Sequence, residues 1–208
     1  MISKAEQAIP LYRSLMEEIK IRYDHTDALI KRPPQVPVRM LQEFCWLQLR
    51  MLCELIALGC LVANGDINKS NKLTKVYQAD RIMDTLEELH PDFYPKPVTQ
   101  HVLAPGRIHH EPVRSGYMTK SELIKLYNQK CGHALHRGNL KRLLSTIADG
   151  PGPMTEITGA MTKVQRLMDC HMIMLAGGNA ALMCAMNTAE GISVAFAKRI
   201  EHGDLGAE

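Results

Sequence analysis

The stretch Tyr127-Asn128-Gln129-Lys130-Cys131-Gly132-His133-Ala134-Leu135-His136-Arg137-Gly138-Asn139 gathers more chemically capable groups than any other part of this chain. His133 and His136 stand three apart, so on a helix they project from neighbouring positions of one face, with Lys130 one turn earlier. A cation placed there depresses the imidazole pKa values. Lys130 or Arg137 could hold a phosphate while His136 moves a proton and Asn139 supplies a further polar group, the arrangement that acid and base work on a phosphodiester needs. The same residues suit a structural role better, in which His136 caps or hydrogen-bonds a neighbouring helix and Gly132 permits close packing.

A second constellation lies in the apolar stretch from Val38 to Ala63. Glu43, Arg50 and Glu54 are seven and four apart, so they share one stripe of a helix whose other faces are apolar, and charges in that setting must be paired. Either Arg50 bridges Glu54 and fixes the helix register, or the three form a binding patch that faces the His136 helix across a recess. Metal ligation would have to use Cys131, His133 and His136, with His109 and His110 at a distance. Zinc sites show ligand pairs at short spacing in two places, and neither half is clean here, so no metal and no cofactor is expected. His101, His109 and His110 fall in a proline-rich stretch and read as readily as solvated loop residues. A phosphate-cradling glycine loop, a nucleophile elbow and a dinucleotide fingerprint are all missing, which removes several large enzyme classes.

The phrase Tyr127-x-x-Lys130-Cys131-Gly132-x-x-Leu135-His136-x-x-Asn139, together with the apolar run Leu47 to Leu58, resembles uncharacterised bacterial proteins of the HEPN-like group. The resemblance implies a compact helical bundle, often dimeric, of a kind met in toxin-antitoxin pairs, phage defence and RNA cleavage. Active members of that group carry an Arg, four to six residues, then a His. Six residues before His136 this chain has Lys130, a point charge in place of a bidentate fork. A formal match to the pattern, Arg166 to His171, falls where a helix gives way to a strand.

The elements that must position these residues follow from hydrophobic periodicity. Ile9, Tyr12, Met16, Ile19 and Tyr23 recur at helical steps and predict a helix from about Ile9 to Ile30, with Pro10 near its start. Arg32 to Pro37 holds three prolines and cannot continue it. Val38 to Ala63 reads as the central helix of a bundle, ended by Asn64-Gly65, and Lys72 to Leu89 as a third helix stopped by His90-Pro91. The excursion over 91–118 carries a hairpin between Val98 and Val113. Thr119-Lys120-Ser121-Glu122 is a capping box opening a fourth helix to His136, with Leu140 to Ala148 resuming it and Met154 to Met168 forming a fifth. From His171 the period changes to two. His171 to Ala176 and Ala180 to Met186 flank Gly177-Gly178-Asn179, and Ile192 to Ala197 adds a third strand.

The fold expected is therefore mainly α: a HEPN-like bundle of about five helices over residues 1–170, a small C-terminal antiparallel hairpin or three-stranded meander over 171–200 packed on the same domain, and a frayed tail over 201–208. With 208 residues, 46% of them apolar, the chain can bury a core without staples, and its net charge of +3 lacks the dense basic stripe of a dedicated duplex binder. The N-terminus has no signal-peptide h-region, and charges interrupt the long apolar stretch, so a cytoplasmic protein with no membrane span is expected. Cys45, Cys53 and Cys60 are too far apart along one helix to pair, which predicts free buried thiols. The thirteen methionines cluster in the later half, either filling the core or facing a partner. The function this predicts is a non-enzymatic interaction or oligomerisation module, a homodimer with a possible RNA or protein partner. A metal-independent endoribonuclease built on His136 with Lys130, Arg137 and Asn139 is the alternative, and a metal-binding protein the third.

Overall fold

The computed structural model describes residues 4–64, 76, 78–104, 107–135, 154–176 and 178–198. Helix α1 spans Lys4–Lys31 and turns Tyr12, Met16 and Ile19 inward at steps of four and three. It begins before the Ile9 start that periodicity implies, so Pro10 lies inside the helix and removes one backbone hydrogen bond there. The prolines after Lys31 end α1, and Pro37, extended at φ −53° and ψ 132°, leads directly into α2, Val38–Ala63. One side of α2 is packed with Trp46, Leu49, Leu52, Cys53, Ile56 and Cys60. Gly59 lets α1 approach closely: a Cβ there would stand 3.3 Å from both Tyr12 Cε2 and Met16 Cε.

Helix α3, Ala79–Leu89, packs Ile82, Met83 and Leu86 against α2 and ends at His90, whose backbone is extended before Pro91. Of the helix expected from Lys72, residues 72–75 and 77 lie outside the described residues. Helix α4 opens on the expected capping box. The Thr119 hydroxyl accepts from the Glu122 amide at 3.3 Å, and the Glu122 carboxylate accepts from the Thr119 amide at 3.0 Å. α4 runs α-helical over Lys120–Lys125, widens to a π-helix over Leu126–Cys131 and finishes α-helical over Gly132–Leu135. Helix α5, Met154–Met168, buries Ile157, Met161, Val164, Leu167 and Met168. The helix expected over 140–148 lies outside the described residues.

The strands are β1, Lys96–Ala104; β2, Arg107–Pro112; β3, Cys170–Met174; β4, Ala180–Thr188; and β5, Gly191–Lys198. They form one antiparallel five-stranded sheet in the order β2-β1-β3-β4-β5. The expected strand pairing within Val98 to Val113 and the C-terminal strand pairs are present, and Gly178 (φ +73°) and Gly191 (φ +96°) supply the left-handed backbone that the β3–β4 and β4–β5 turns need. The fold class is nonetheless corrected. The protein is mixed α and β, not a mainly α HEPN-like bundle carrying a small C-terminal meander. The joint is the pairing of Lys96 with Met172 and of Pro97 with His171, which merges the proline-rich hairpin and the C-terminal strands into one sheet. Residues that far apart in the chain leave no local signal of their contact.

Alternation assigns the two sheet faces. His171, Ile173, Leu182, Cys184, Met186 and Val194 point to the helices and are buried, so the sheet completes the core instead of hanging from it. Helix α1 lies against β5, and α5 against β1 and β3. Met172, Met174 and Met183 point to the other face and are half-buried. Register thus divides the late methionines, sending Met161, Met168 and Met186 to the core and the other three away from it.

Candidate functional site

Arg50 and Glu54 of α2 meet Tyr127, which the π-helical turn of α4 carries inward. Arg50 Nε donates to Glu54 Oε1 at 3.2 Å, the Tyr127 hydroxyl donates to the same oxygen at 3.1 Å, and an Arg50 terminal nitrogen donates to the Tyr127 hydroxyl at 3.1 Å. The guanidinium carbon also sits 4.6 Å from the Tyr127 ring centroid, within cation–π range. Burial and the neighbouring Glu54 carboxylate raise the Tyr127 pKa, which keeps its phenol protonated as a donor. Arg50, Glu54 and Tyr127 are bonded to one another across two elements, so this triad positions helices: it fixes α2 against α4. Glu43 is not part of it. That carboxylate accepts from Arg39 Nε at 3.1 Å on the exposed side of α2.

Lys130 is tied across to Glu156 of α5 at 2.6 Å. His136, Arg137 and Asn139 lie outside the described residues, as does the side chain of His133, whose backbone closes α4. A Cβ at Gly132 would meet only the Tyr127 carbonyl oxygen at 3.8 Å, an ordinary contact, so close packing does not require glycine there. Cys131 is buried, with its thiol pushed up to about 12 by burial, and Cys53 is raised likewise, with Cys131 as a neighbour. All six cysteines are free and five are buried.

The Arg166 to His171 pattern separates in space. The Arg166 guanidinium lies over Gly116, where a Cβ would have to displace its tip. His171 is sealed in the core, where Nδ1 donates to the Met168 carbonyl at 2.9 Å and Nε2 therefore accepts from the Tyr12 hydroxyl at 2.6 Å. Burial drives its pKa down to about 4, against a smaller upward pull from the bond to Met168. A neutral, fully bonded ring without solvent access does not transfer protons to a substrate.

On the outer hairpin, His101 stands opposite His109, with ring centroids 6.4 Å apart, and His101 Nε2 is 3.5 Å from Glu111. His110 points to the other face, where it meets Gln100 at 3.2 Å. Among the described residues no three His, Cys, Asp or Glu side chains are arranged to hold a metal ion.

What the sequence reading missed is the far side of α2. Its near-continuous apolar composition reads as burial all round, but Met40, Phe44 and Leu47 are 60, 41 and 42% exposed, and Met51 continues the same stripe half-buried. The steps 40, 44, 47 and 51 alternate four and three, the spacing of a seam between two helices, and that spacing was the available signal. α1 borders the stripe on one flank, where Arg22 Nη1 donates to Gln48 at 2.9 Å, and the Arg50–Tyr127 contact with α4 borders it on the other. By length and composition α2 could also cross a bilayer, and here 56% of its most apolar window is packed inside the protein. No family model, curated protein or solved structure matches this chain.

Proposed function

We propose that this protein is a non-enzymatic interaction module that works through the outward face of α2. The observation that supports this is the apolar stripe Met40, Phe44 and Leu47 left in solvent on the central helix and continued by the half-buried Met51. Apolar residues exposed singly are ordinary, but a contiguous row on one rigid helix marks a contact surface, because about 25 cal/mol of free energy is gained for each Å² removed from water. The helix that bears the row is anchored on its other side by most of the core, so the surface is preorganised and binding need not order it.

The test is the size of the native assembly. In an extract of source cells cross-linked before lysis the protein should run well above its monomer mass of 23.3 kDa, and the double variant Phe44→Glu/Leu47→Glu should run as a monomer while keeping its helix content by circular dichroism. Wild-type protein that runs as a monomer, or a folded variant that keeps the large size, removes the reading.

A further inference from the structure

Resting on the reading of α2 as a contact surface, we infer that its partner is a second copy of this chain, docked α2 on α2 in antiparallel orientation about a two-fold axis that passes between Phe44 and Leu47. The apolar seam is self-complementary in that register. Phe44 packs against the partner's Leu47 and Met40 against the partner's Met51, while the same axis repeats both contacts in reverse.

The charges beside the seam select the orientation. Along α2 they run Arg39, Glu43, Arg50, Glu54, with Arg39 bonded to Glu43 and Arg50 to Glu54. The antiparallel axis sets Glu43 beside the partner's Arg50 and Arg39 beside the partner's Glu54, so opposite charges meet and the charges of the two chains form two networks of four, one toward each end of the seam. Arg50 has 28% of its side chain in solvent beyond its bonds to Glu54 and Tyr127, which leaves it accessible for this contact. A parallel pair sets Glu43 beside the partner's Gln48 and Arg50 beside the partner's Leu55, and gains no charge pairing.

Size sets the strength. Three exposed apolar side chains on each copy, the half-buried Met51 and the flanking charges bury on the order of 900 Å² in total, below the standard size of a stable interface and in the range of weak, transient ones. The dimer is therefore reversible, with a dissociation constant on the order of micromolar.

Cysteine placement reads the register directly. In the antiparallel pair, residues 40 and 51 of opposite chains are adjacent, whereas two copies of residue 40 are about 16 Å apart along the helix, from eleven residues at about 1.5 Å each. A mixture of purified Met40→Cys and Met51→Cys should form a disulfide-linked dimer under mild oxidation, while each variant alone, and wild type with its mostly buried thiols, should not. Glu43→Arg should weaken self-association at least ~10-fold at low salt by facing the partner's Arg50 with a like charge. Met40→Cys that links to itself shows a parallel pair and overturns the inference, as does a concentration-dependent dimer that links in no combination. Purified wild type that sediments as a monomer at ~100 μM, far above a micromolar constant, also overturns it. If α2-dependent assemblies persist in extract in that case, the module reading stands and the partner is a different protein. If they do not, both fall.

Discussion

Lowering the pH from about 7.5 to about 5 should destabilise the fold through His171 alone among the buried groups, since the ring titrates near 6.5 when the chain is unfolded and near 4 when folded. Between those values the unfolded chain takes up a proton that the native core refuses. Stability is complete above 6.5 and falls as the pH drops through the window. At about 1.4 kcal/mol per pH unit, descending from 6.5 to about 5 removes roughly 2 kcal/mol, and the whole gap down to about 4 removes roughly 3. The paired carboxylates of Glu122 and Asp92 also favour the native state, but bonding to Lys163 and Lys96 holds them below their ordinary values of 4.5 and 3.8, so their contribution is lost only at still lower pH. Stopping at about 5 isolates the imidazole. The assay is urea unfolding at half-unit pH steps on wild type and His171→Gln, with equal m-values confirming a common unfolded state. Wild type should lose roughly 2 kcal/mol and the variant, uniformly weaker, should be nearly flat across the same range. An equal slope in both proteins would refute the assignment, because the proton would then be going elsewhere.

Two further outcomes follow from the packing. Tyr127→Phe removes the donor to Glu54 and the acceptor for Arg50 while keeping the ring, and should cost about 1–2 kcal/mol in chemical denaturation without changing helix content by circular dichroism. Gly59→Val should cost about 2–3 kcal/mol, because its side chain would press on Tyr12, which the bond to His171 prevents from moving aside; a thermal midpoint equal to wild type would show that α1 yields there.

Local chemistry was legible from the residues. Three prolines between Arg32 and Pro37 separated the first two helices, Thr119 and Glu122 capped the fourth, and Gly178 and Gly191 turned the strands, because each acts through its own backbone or a partner three residues away. That Cys45, Cys53 and Cys60 do not pair with one another followed from their spacing along one helix. At the site, the pairing of Arg50 with Glu54 was legible for the same reason, being one turn apart, whereas Tyr127 joining them was not. Composition described α2 as apolar throughout but could not say which faces the other helices would leave open.

What the amino acids determine by themselves is thus where most of the described helices and strands lie and where the chain must break between them, though not every end: α1 begins at Lys4, ahead of the Ile9 that periodicity marks. Only the tertiary structure decided that β1 pairs with β3 and turns two hairpins into one sheet, that Arg166 and His171 part company, and that Met40, Phe44 and Leu47 face water. Propensity and capping are settled within a few residues of chain. Strand pairing and helix burial are settled by which distant surfaces compete best for the same apolar area, and that competition is written in no single segment.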